Sequence, residues 1–403
     1  MRYLRPGPGA LVAAAFIGPG TIATCSMAGA RFGFSLLWGL AFSIAATVIL
    51  QEMAARLGVL SRMGLGEALR KHFHKVIPRL LTAILVISAI AIGNAAFEAG
   101  NIAGARMGLE SLGIIPLAQG RIWVPVIGAI TFVVLFSGNY RLIEKVLVSL
   151  VIIMSLTFFA TALLLRPDPA GILRGMLVPS FPAGSLLTIV GLIGTTVVPY
   201  NLFLYASAVQ ERFREPADLP QARADISVSV VVGGLISMAI VVSAASAYFG
   251  SGQLPEGGAD MARQLEPLLK SWSGWFIGTG LFAAGISSAI TAPLAAAWAT
   301  AGIMGWERNM RSWRFRLVWM LILLAGTGFA VTGYKPMQII LFAQAANGIL
   351  LPVIVIFLLK IMNSRQIMGK HTNGWLSNLL GSLVLLTVLA LSIRTLLMVA
   401  GLV

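Results

Sequence analysis

The sequence predicts an all-α integral membrane protein of eleven transmembrane helices, of which the first and the sixth are broken. Three observations predict this fold class. Of the 403 residues, 58% are hydrophobic and only 11% are charged, whereas a soluble domain is about 45–50% apolar and about 25% charged. The apolar residues form long continuous runs, not the short alternating segments of a β-barrel. The first and the sixth of these runs carry a proline near their middle.

Eleven runs are long and apolar enough to cross a bilayer, which takes about 20 residues in a helix. No change of composition and no long polar linker separates them, so we expect one transmembrane domain over residues 1–403. The predicted spans cover residues 9–29, 34–59, 78–108, 122–138, 142–165, 186–209, 226–249, 274–304, 314–333, 337–361 and 375–399.

The 29 basic residues exceed the 14 acidic ones, for a formal net charge of +15. In a soluble protein this excess would suggest nucleic acid, but in a membrane protein basic residues accumulate in cytoplasmic loops. Most of them fall in inner loops if the N-terminus is cytoplasmic. We therefore predict a multi-pass protein of the cell membrane with its N-terminus in the cytoplasm, its C-terminus outside and no nucleic-acid partner.

The first span carries Gly-Pro-Gly-Thr at 18–21, and the sixth carries Val-Pro-Tyr-Asn at 198–201. Proline removes a backbone donor and clashes with the preceding turn. Unpaired backbone groups at bilayer depth are tolerated only where they face protein or a wet cavity. Two ordinary proline kinks are the alternative, but breaks five spans apart favour two inverted five-helix repeats with a site between the breaks.

The repeats would cover about 9–165 and about 186–361, with an extra helix at 375–399. Around both breaks the sequence resembles the Nramp family of metal-ion transporters, whose members carry Asp-Pro-Gly-Asn in span 1 and Met-Pro-His-Asn in span 6. The resemblance covers nearly the whole chain and implies the LeuT-type 5+5 inverted repeat. Further matching segments are Gly-Ala-Arg-Phe-Gly-Phe-Ser-Leu-Leu-Trp at 29–38, Ala-Arg-Leu-Gly at 55–58, Gly-Thr-Thr-Val-Val-Pro at 194–199, Gly-Ile-Ser-Ser at 285–288 and Arg-Gln-Ile-Met-Gly at 365–369.

The chain departs from this family at the metal ligands. The resemblance implies ligands at the span-1 Asp and Asn and the span-6 Met, and the matching residues here are Gly18, Thr21 and Val198. Glycine and valine offer no side-chain ligand, and threonine offers only a neutral hydroxyl. Divalent metals prefer carboxylate oxygen, imidazole or sulfur ligands. We therefore expect a mostly neutral site that transports Mn²⁺ and Fe²⁺ poorly.

The predicted substrate-binding residues come from both breaks and from span 10, where Gln344 matches a family glutamine near the metal. Broken helix N-termini suit an anion or a carboxylate, and broken C-termini offer carbonyls to a cation. We predict no catalytic residue, no certain metal ligand and no cofactor. The substrate-binding set is Gly18, Gly20, Thr21, Thr195, Val198, Tyr200, Asn201, Gln344 and Asn347.

Glu98 is the carboxylate placed nearest the middle of a span. Ionisable residues at this depth are costly and commonly functional. The resemblance implies a proton route that includes Glu98, and the two family histidines of span 6, which are linked to proton movement, match Tyr200 and Tyr205. We therefore predict Glu98 and Tyr205 on a proton pathway. The alternative is a structural Glu98 bonded to the backbone or to Arg106.

Three functions remain open. The first is a secondary active symporter that moves a divalent cation through an altered site. The second is a transporter of a small organic or anionic solute on the same fold, and the third is a sensor that does not transport. An enzyme would need a nucleophile–base or metal constellation, which is not found. The expected partners are the transported solute or cation and the lipid bilayer, with no obligate protein partner.

Overall fold

The structure is a computed structural model that describes residues 7–115, 120–137, 167–263, 269–307, 309–332 and 334–402, together with isolated residues between 145 and 164. Regular structure in these ranges is helical. The α-helices are α1 (Pro8–Phe16), α2 (Pro19–Phe32), α3 (Leu37–Ser61), α4 (Leu65–His72), α5 (Val76–Ser111), α6 (Gly120–Phe136), α7 (Pro169–Leu177), α8 (Leu186–Thr196), α9 (Pro199–Arg212), α10 (Leu219–Tyr248), α11 (Gly258–Arg263), α12 (Ser273–Met304), α13 (Trp313–Val331), α14 (Pro336–Met362), α15 (Arg365–Met368) and α16 (Trp375–Val399).

Eight helical segments within the described ranges are long and apolar enough to cross a membrane, counting the broken Leu186–Arg212 as one. They correspond to the predicted second, third and sixth to eleventh spans. The fourth span is a shorter apolar helix, Arg121–Phe136. The first is divided between α1 and α2. The predicted fifth span, 142–165, lies outside the described residues apart from isolated positions.

The centre of the bundle is built from α5 and α12. The apolar window of α12 is 94% buried inside the protein, whereas that of α16 is only 22% buried. Small residues let α5 and α12 approach closely. A Cβ added to Gly108 would lie 2.4 Å from the backbone nitrogen of Phe282, and one added to Gly285 would lie 2.6 Å from Ala105. Such contacts between small residues are typical of helices packed in a membrane.

The two broken spans pack mainly against different helices. α1 and α2 pack against α10, and α8 packs against α14. At the N-terminal end of α1, the backbone N–H of Gly9 donates to Asp225 Oδ2 on α10 at 2.7 Å. This carboxylate satisfies a donor that the first turn of a helix leaves without an intrahelical partner.

Candidate functional site

Both breaks have the same backbone form. Ile17 follows α1 with φ −83° and ψ 78°, and Gly18 is extended before α2. Val197 follows α8 with φ −91° and ψ 72°, and Val198 is extended before α9. In each case a proline is the first residue of the next helix. The matched geometry is that expected of equivalent helices in two repeats.

The breaks comprise residues 17–18 and 197–198, so they include the first residue of each proline-centred segment, 18–21 and 198–201, but begin one residue earlier and end before the proline. Gly20, Thr21, Tyr200 and Asn201 belong to the first turns of α2 and α9. The reason is that proline suits the first helical position, where its missing N–H removes no intrahelical hydrogen bond.

A pair of hydroxyls joins the two breaks. Thr21 Oγ1 on α2 lies 2.6 Å from Thr195 Oγ1 in the last turn of α8, and both side chains are fully buried. The Thr21 hydroxyl also donates to the carbonyl of Phe16 at the end of α1. Thr195 is therefore the donor between the two hydroxyls. The contact brings the first and sixth spans together at their discontinuities.

Hydroxyl groups also meet the carbonyls at the ends of both first half-helices. Phe16 O accepts from Thr21, and Thr196 O accepts from Thr47 Oγ1 on α3 at 3.4 Å. The last carbonyls of a helix have no intrahelical donor. The Thr21 hydroxyl supplies that donor at the first break. At the second break the single proton of the Thr47 hydroxyl is directed to Ser43 O at 2.7 Å, so its 3.4 Å approach to Thr196 O is only a weak second contact.

We expect Thr21→Val to destabilise the folded protein by about 1–3 kcal/mol, because it removes the donor to a buried carbonyl and an acceptor for Thr195. Thr21→Ser retains the hydroxyl and is the matched control. The free energies of unfolding of Thr21→Val, Thr195→Val and the double variant Thr21→Val/Thr195→Val in detergent complete a double-mutant cycle. Additive effects of the two valine substitutions would contradict the contact.

Gln344 of α14 lies directly against the first break. A Cβ added to Gly20 would lie 1.9 Å from Gln344 Nε2, and one added to Gly194 would lie 2.3 Å from the Gln344 carbonyl oxygen. The side chain is 2% exposed, and its Oε1 has no hydrogen-bond partner among the described residues. A buried acceptor without a hydrogen bond is unusual in a folded protein. The Gln344 Oε1 atom is therefore a candidate acceptor for a hydrogen bond from a solute.

Other predicted site residues are buried around this centre. In the part of the chain that the structure describes, the Oδ1 and Nδ2 atoms of Asn201 and the Nδ2 atom of Asn347 have no hydrogen-bond partner. Asn347 faces Gly93 of α5, where an added Cβ would lie 3.2 Å from its Oδ1. The Tyr200 ring meets Phe97 of α5 edge-on at 5.6 Å between centroids. Val198 contributes an apolar, buried side chain.

Glu98 is completely buried on α5. Its Oε2 accepts from Asn101 Nδ2 at 3.2 Å, and no described residue bonds to its Oε1. Arg106, the alternative partner, instead forms an ion pair with Glu110 at 2.7 Å. Glu98 therefore carries an unpaired carboxyl oxygen in the interior of a membrane span.

Tyr205 lies apart from the breaks. It follows Pro199 by six residues, about 9 Å along α9, and its hydroxyl donates to the Ala222 carbonyl of α10 at 2.9 Å. The side chain is buried. In this structure Tyr205 ties α9 to α10, and its predicted place on a proton pathway remains a prediction.

Two residues at the first break were missing from the predicted site. A Cβ added to Gly18 would lie 2.5 Å from Ser288 Oγ on α12 and 3.6 Å from Asn101 Oδ1 on α5. Both residues are at most 1% exposed. Their sequence signal is a polar residue inside an apolar span, and only packing shows which such residues reach a break.

The polar side chains around the breaks, which are the possible ligands of a bound ion, are predominantly neutral. Over the described residues, no three His, Cys, Asp or Glu side chains come together as a metal-binding group. Buried hydroxyls and amides surround the breaks instead.

Comparison with known proteins identifies the family. Residues 9–398 match the family described as natural resistance-associated macrophage protein-like, or Nramp. The chain belongs to the Nramp family. A relative from a Nostoc species, named divalent metal cation transporter MntH, is 30% identical over 392 residues, or 93% of this chain and 86% of the relative. A Yersinia pestis protein of the same name is 27% identical, with 96% and 93% covered.

Solved structures confirm the predicted fold class of this Nramp chain. A manganese transporter from Eremococcus coleocola, crystallised with an aromatic bis-isothiourea substituted compound, matches with a TM-score of 0.75 at 21% identity, covering 96% of this chain and 85% of that one. MhsT in complex with L-phenylalanine matches with a TM-score of 0.64 at 17% identity, covering 98% and 99%. At these identities the likeness shows the fold alone, which is the LeuT-type architecture.

Proposed function

We propose that this Nramp protein is a secondary active transporter whose substrate binds between the two breaks. The observation that carries the proposal is the buried contact between Thr21 and Thr195, which joins the discontinuities of two spans at 2.6 Å. Unpaired polar atoms of Asn201 and Gln344 are the groups that a substrate would engage. Discontinuous helices at a repeat interface are the usual substrate site of such transporters.

The relatives' names indicate the substrate class, a divalent metal cation. We infer that this chain carries such ions through an altered site and transports Mn²⁺ and Fe²⁺ poorly. Gly18 and Val198 supply no side-chain donor, and the Thr21 hydroxyl is engaged by Phe16 O and Thr195. A neutral set replaces little of the hydration that a divalent ion must lose.

The arrangement of the chain in the membrane forms part of this proposal. Basic residues in alternate loops support a cytoplasmic N-terminus and an external C-terminus. The matched breaks support repeats over about 9–165 and about 186–361, followed by the extra helix at 375–399. Alternating access would then move one repeat against the other around the joined breaks.

Reconstituted in liposomes, the protein should take up Mn²⁺ at least about tenfold more slowly than the Eremococcus coleocola manganese transporter, because three donor positions hold two non-donors and one engaged hydroxyl. The measurement is quenching of a metal-sensitive dye inside the vesicles. Protein-free vesicles give the background, and a metal ionophore shows that the vesicles are intact. Mn²⁺ uptake that saturates at micromolar Mn²⁺ and is inhibited by Cd²⁺ would contradict the proposal that the altered site transports Mn²⁺ poorly.

A small organic or anionic solute is the second candidate, and the helix termini favour it. The carbonyl of Phe16 at the end of α1 is engaged by the Thr21 hydroxyl. The N-terminal residues before α2 and α9, Gly18 and Val198, provide no side-chain cap. Uncapped helix N-termini attract anions and carboxylates.

A thermal-stability screen distinguishes the two candidates. Small carboxylates, amino acids and inorganic anions are added to the purified protein, beside MnCl₂ and MgCl₂. A binding solute raises the unfolding temperature in proportion to the logarithm of its concentration above Kd. Stabilisation by a carboxylate and not by the metals would favour the second candidate, and stabilisation by a metal alone would reject it.

A further inference from the structure

A cleft of about 540 Å³ lies beside the turn that connects α2 to α3. This volume is within the range of small-molecule binding sites. Its walls include Phe34 and Ser35 of the turn, Arg174 of α7, Val178 directly after α7, and Phe249 directly after α10. We call it the α7 cleft. The 14 residues of α2 separate it from the first break by about 20 Å of helix, so it is not part of the site between the breaks.

The wall that α7 contributes is joined to the turn by hydrogen bonds and close packing. Ser180 Oγ donates to the Ser35 carbonyl at 2.8 Å, and Trp38 Nε1 donates to the Ser180 carbonyl at 2.9 Å. Gly175 of α7 lies so close to the Phe34 carbonyl that a Cβ would not fit between them. The cleft is therefore held in shape by contacts between segments that are distant in sequence.

The α7 cleft lies where several helices reach the membrane surface. α2 ends at Phe32, α3 begins at Leu37 and α10 ends at Tyr248, and the cleft is bordered by these three ends. In the proposed orientation all three ends face the outside. α7 has nine residues, or about 13 Å of helix, and is too short to cross the bilayer. The cleft is thus placed at the depth of the lipid headgroups.

Exposed apolar side chains continue from the cleft along its rim. Leu173 and Leu177 are one turn apart on α7 and are 57% and 70% exposed. Val178 and Phe249, which line the cleft, are also more than half exposed. Outward-facing leucines on a short helix are typical of a helix that lies in the membrane interface. The acyl chains of a lipid would cover these side chains.

Arg174 supplies the positive charge of the cleft. In the described part of the chain no carboxylate forms an ion pair with its guanidinium. Asp168, the acidic residue nearest to it in sequence, instead accepts from the backbone N–H groups of Ala170 and Gly171. A guanidinium binds phosphate through paired hydrogen bonds. None of the described residues that line the cleft is acidic, so the ammonium group of a zwitterionic headgroup would have no counter-charge there.

We propose that the α7 cleft binds an acidic phospholipid, with the phosphate on Arg174 and the acyl chains against Leu173 and Leu177. The phosphate accepts hydrogen bonds from the guanidinium, and the apolar rim keeps the chains in contact with the protein. A soluble anion would use the guanidinium but leave the rim uncovered, and for this reason we assign the site to a lipid. The inference is independent of the solute that the breaks carry.

The test measures lipid binding to the full-length protein purified in detergent. 1-Palmitoyl-2-oleoyl phosphatidylglycerol and the matching phosphatidylcholine are added at equal concentrations, and bound lipid is counted by native mass spectrometry. The unmodified protein should bind phosphatidylglycerol more tightly than phosphatidylcholine. We expect Arg174→Gln to bind phosphatidylglycerol about fivefold more weakly, because one contact between arginine and phosphate is lost. Arg174→Lys keeps the charge and should retain most of the affinity.

Ser35 allows a second test within the same cleft. Ser35→Glu adds a carboxylate to the wall, which should repel the phosphate and weaken phosphatidylglycerol binding. Ser35→Gln adds a side chain of nearly the same size without the charge, and we expect it to bind this lipid more tightly than Ser35→Glu does. Unchanged phosphatidylglycerol binding in Ser35→Glu would place the lipid elsewhere and overturn the proposal.

The matched control is Arg394→Gln, which removes an exposed arginine from α16 and leaves the cleft intact. We expect it to bind phosphatidylglycerol as tightly as the unmodified protein. Equal weakening by Arg174→Gln and Arg394→Gln, or equal affinity for the two lipids, would reject a specific site. Inorganic phosphate separates the two sources of the anion. An Arg174-dependent rise in unfolding temperature with inorganic phosphate, and none with phosphatidylglycerol, would assign the cleft to a free anion and reject the lipid.

Discussion

Gly194→Ala should destabilise the protein by about 3 kcal/mol. The added methyl group would lie 2.3 Å from the Gln344 carbonyl oxygen and 2.7 Å from the Gly348 nitrogen, both of them backbone atoms of α14. Overpacking typically costs about 1–3 kcal/mol, and backbone neighbours cannot rotate away as side chains do. The measurement is the free energy of unfolding in detergent or, for irreversible unfolding, the rate of heat inactivation.

Gly39→Ala is the matched control for this prediction. Gly39 is also buried within a helix, but its added Cβ would have no neighbour within 4 Å. Alanine in a helix interior is favoured over glycine by about 0.5–1 kcal/mol, so Gly39→Ala should be neutral or stabilising. Equal effects of the two substitutions would show that α8 and α14 do not cross as closely at Gly194 as the structure has them.

Glu98→Gln should abolish proton-driven transport while the protein still folds. Glu98 is fully buried, and within the described part of the chain its carboxylate accepts one hydrogen bond, from Asn101 to Oε2. Glutamine has nearly the same shape, and its amide oxygen can still accept that bond, but it cannot exchange a proton. The measurement is acidification of a pH dye inside proteoliposomes under a potassium diffusion potential, between about pH 5 and pH 8.

Glu256→Gln is the control for charge removal. Its carboxylate is largely exposed and pairs with Lys335 at the surface, where an ion pair contributes little. We expect its proton flux to equal that of the unmodified protein. Unchanged flux in Glu98→Gln across this pH range would make Glu98 structural and the transporter uncoupled or driven by another ion, which would also favour the organic-solute candidate.

The fold could be predicted because its signal is local in the chain. A span is an uninterrupted apolar run, and its length is set by the thickness of the bilayer. The breaks were equally readable, since proline and glycine interrupt a helix through their own backbone chemistry. Their positions were less readable, because Pro19 and Pro199 begin the second half-helix and leave the preceding residues extended.

The composition of the candidate site could be predicted only in part. Gln344 and Asn347 stand out as amides in an apolar run, and the structure buries both of them. Ser288 and Asn101 have the same kind of signal, but nothing in a sequence shows which face of a span reaches a break. That choice depends on how α5 and α12 pack, which small residues such as Ala105 and Gly285 permit.

By itself, the sequence determined that this protein is a helical membrane protein with two matched breaks and a largely neutral set of residues around them, because hydrophobic run length and proline chemistry act along the chain. The tertiary structure alone decided that Thr21 meets Thr195 and that Ser288 fills the space beside Gly18. These pairs are far apart in sequence, and whether they touch depends on differences of a few tenths of an ångström in how closely the helices pack. Such distances are set by the whole bundle at once.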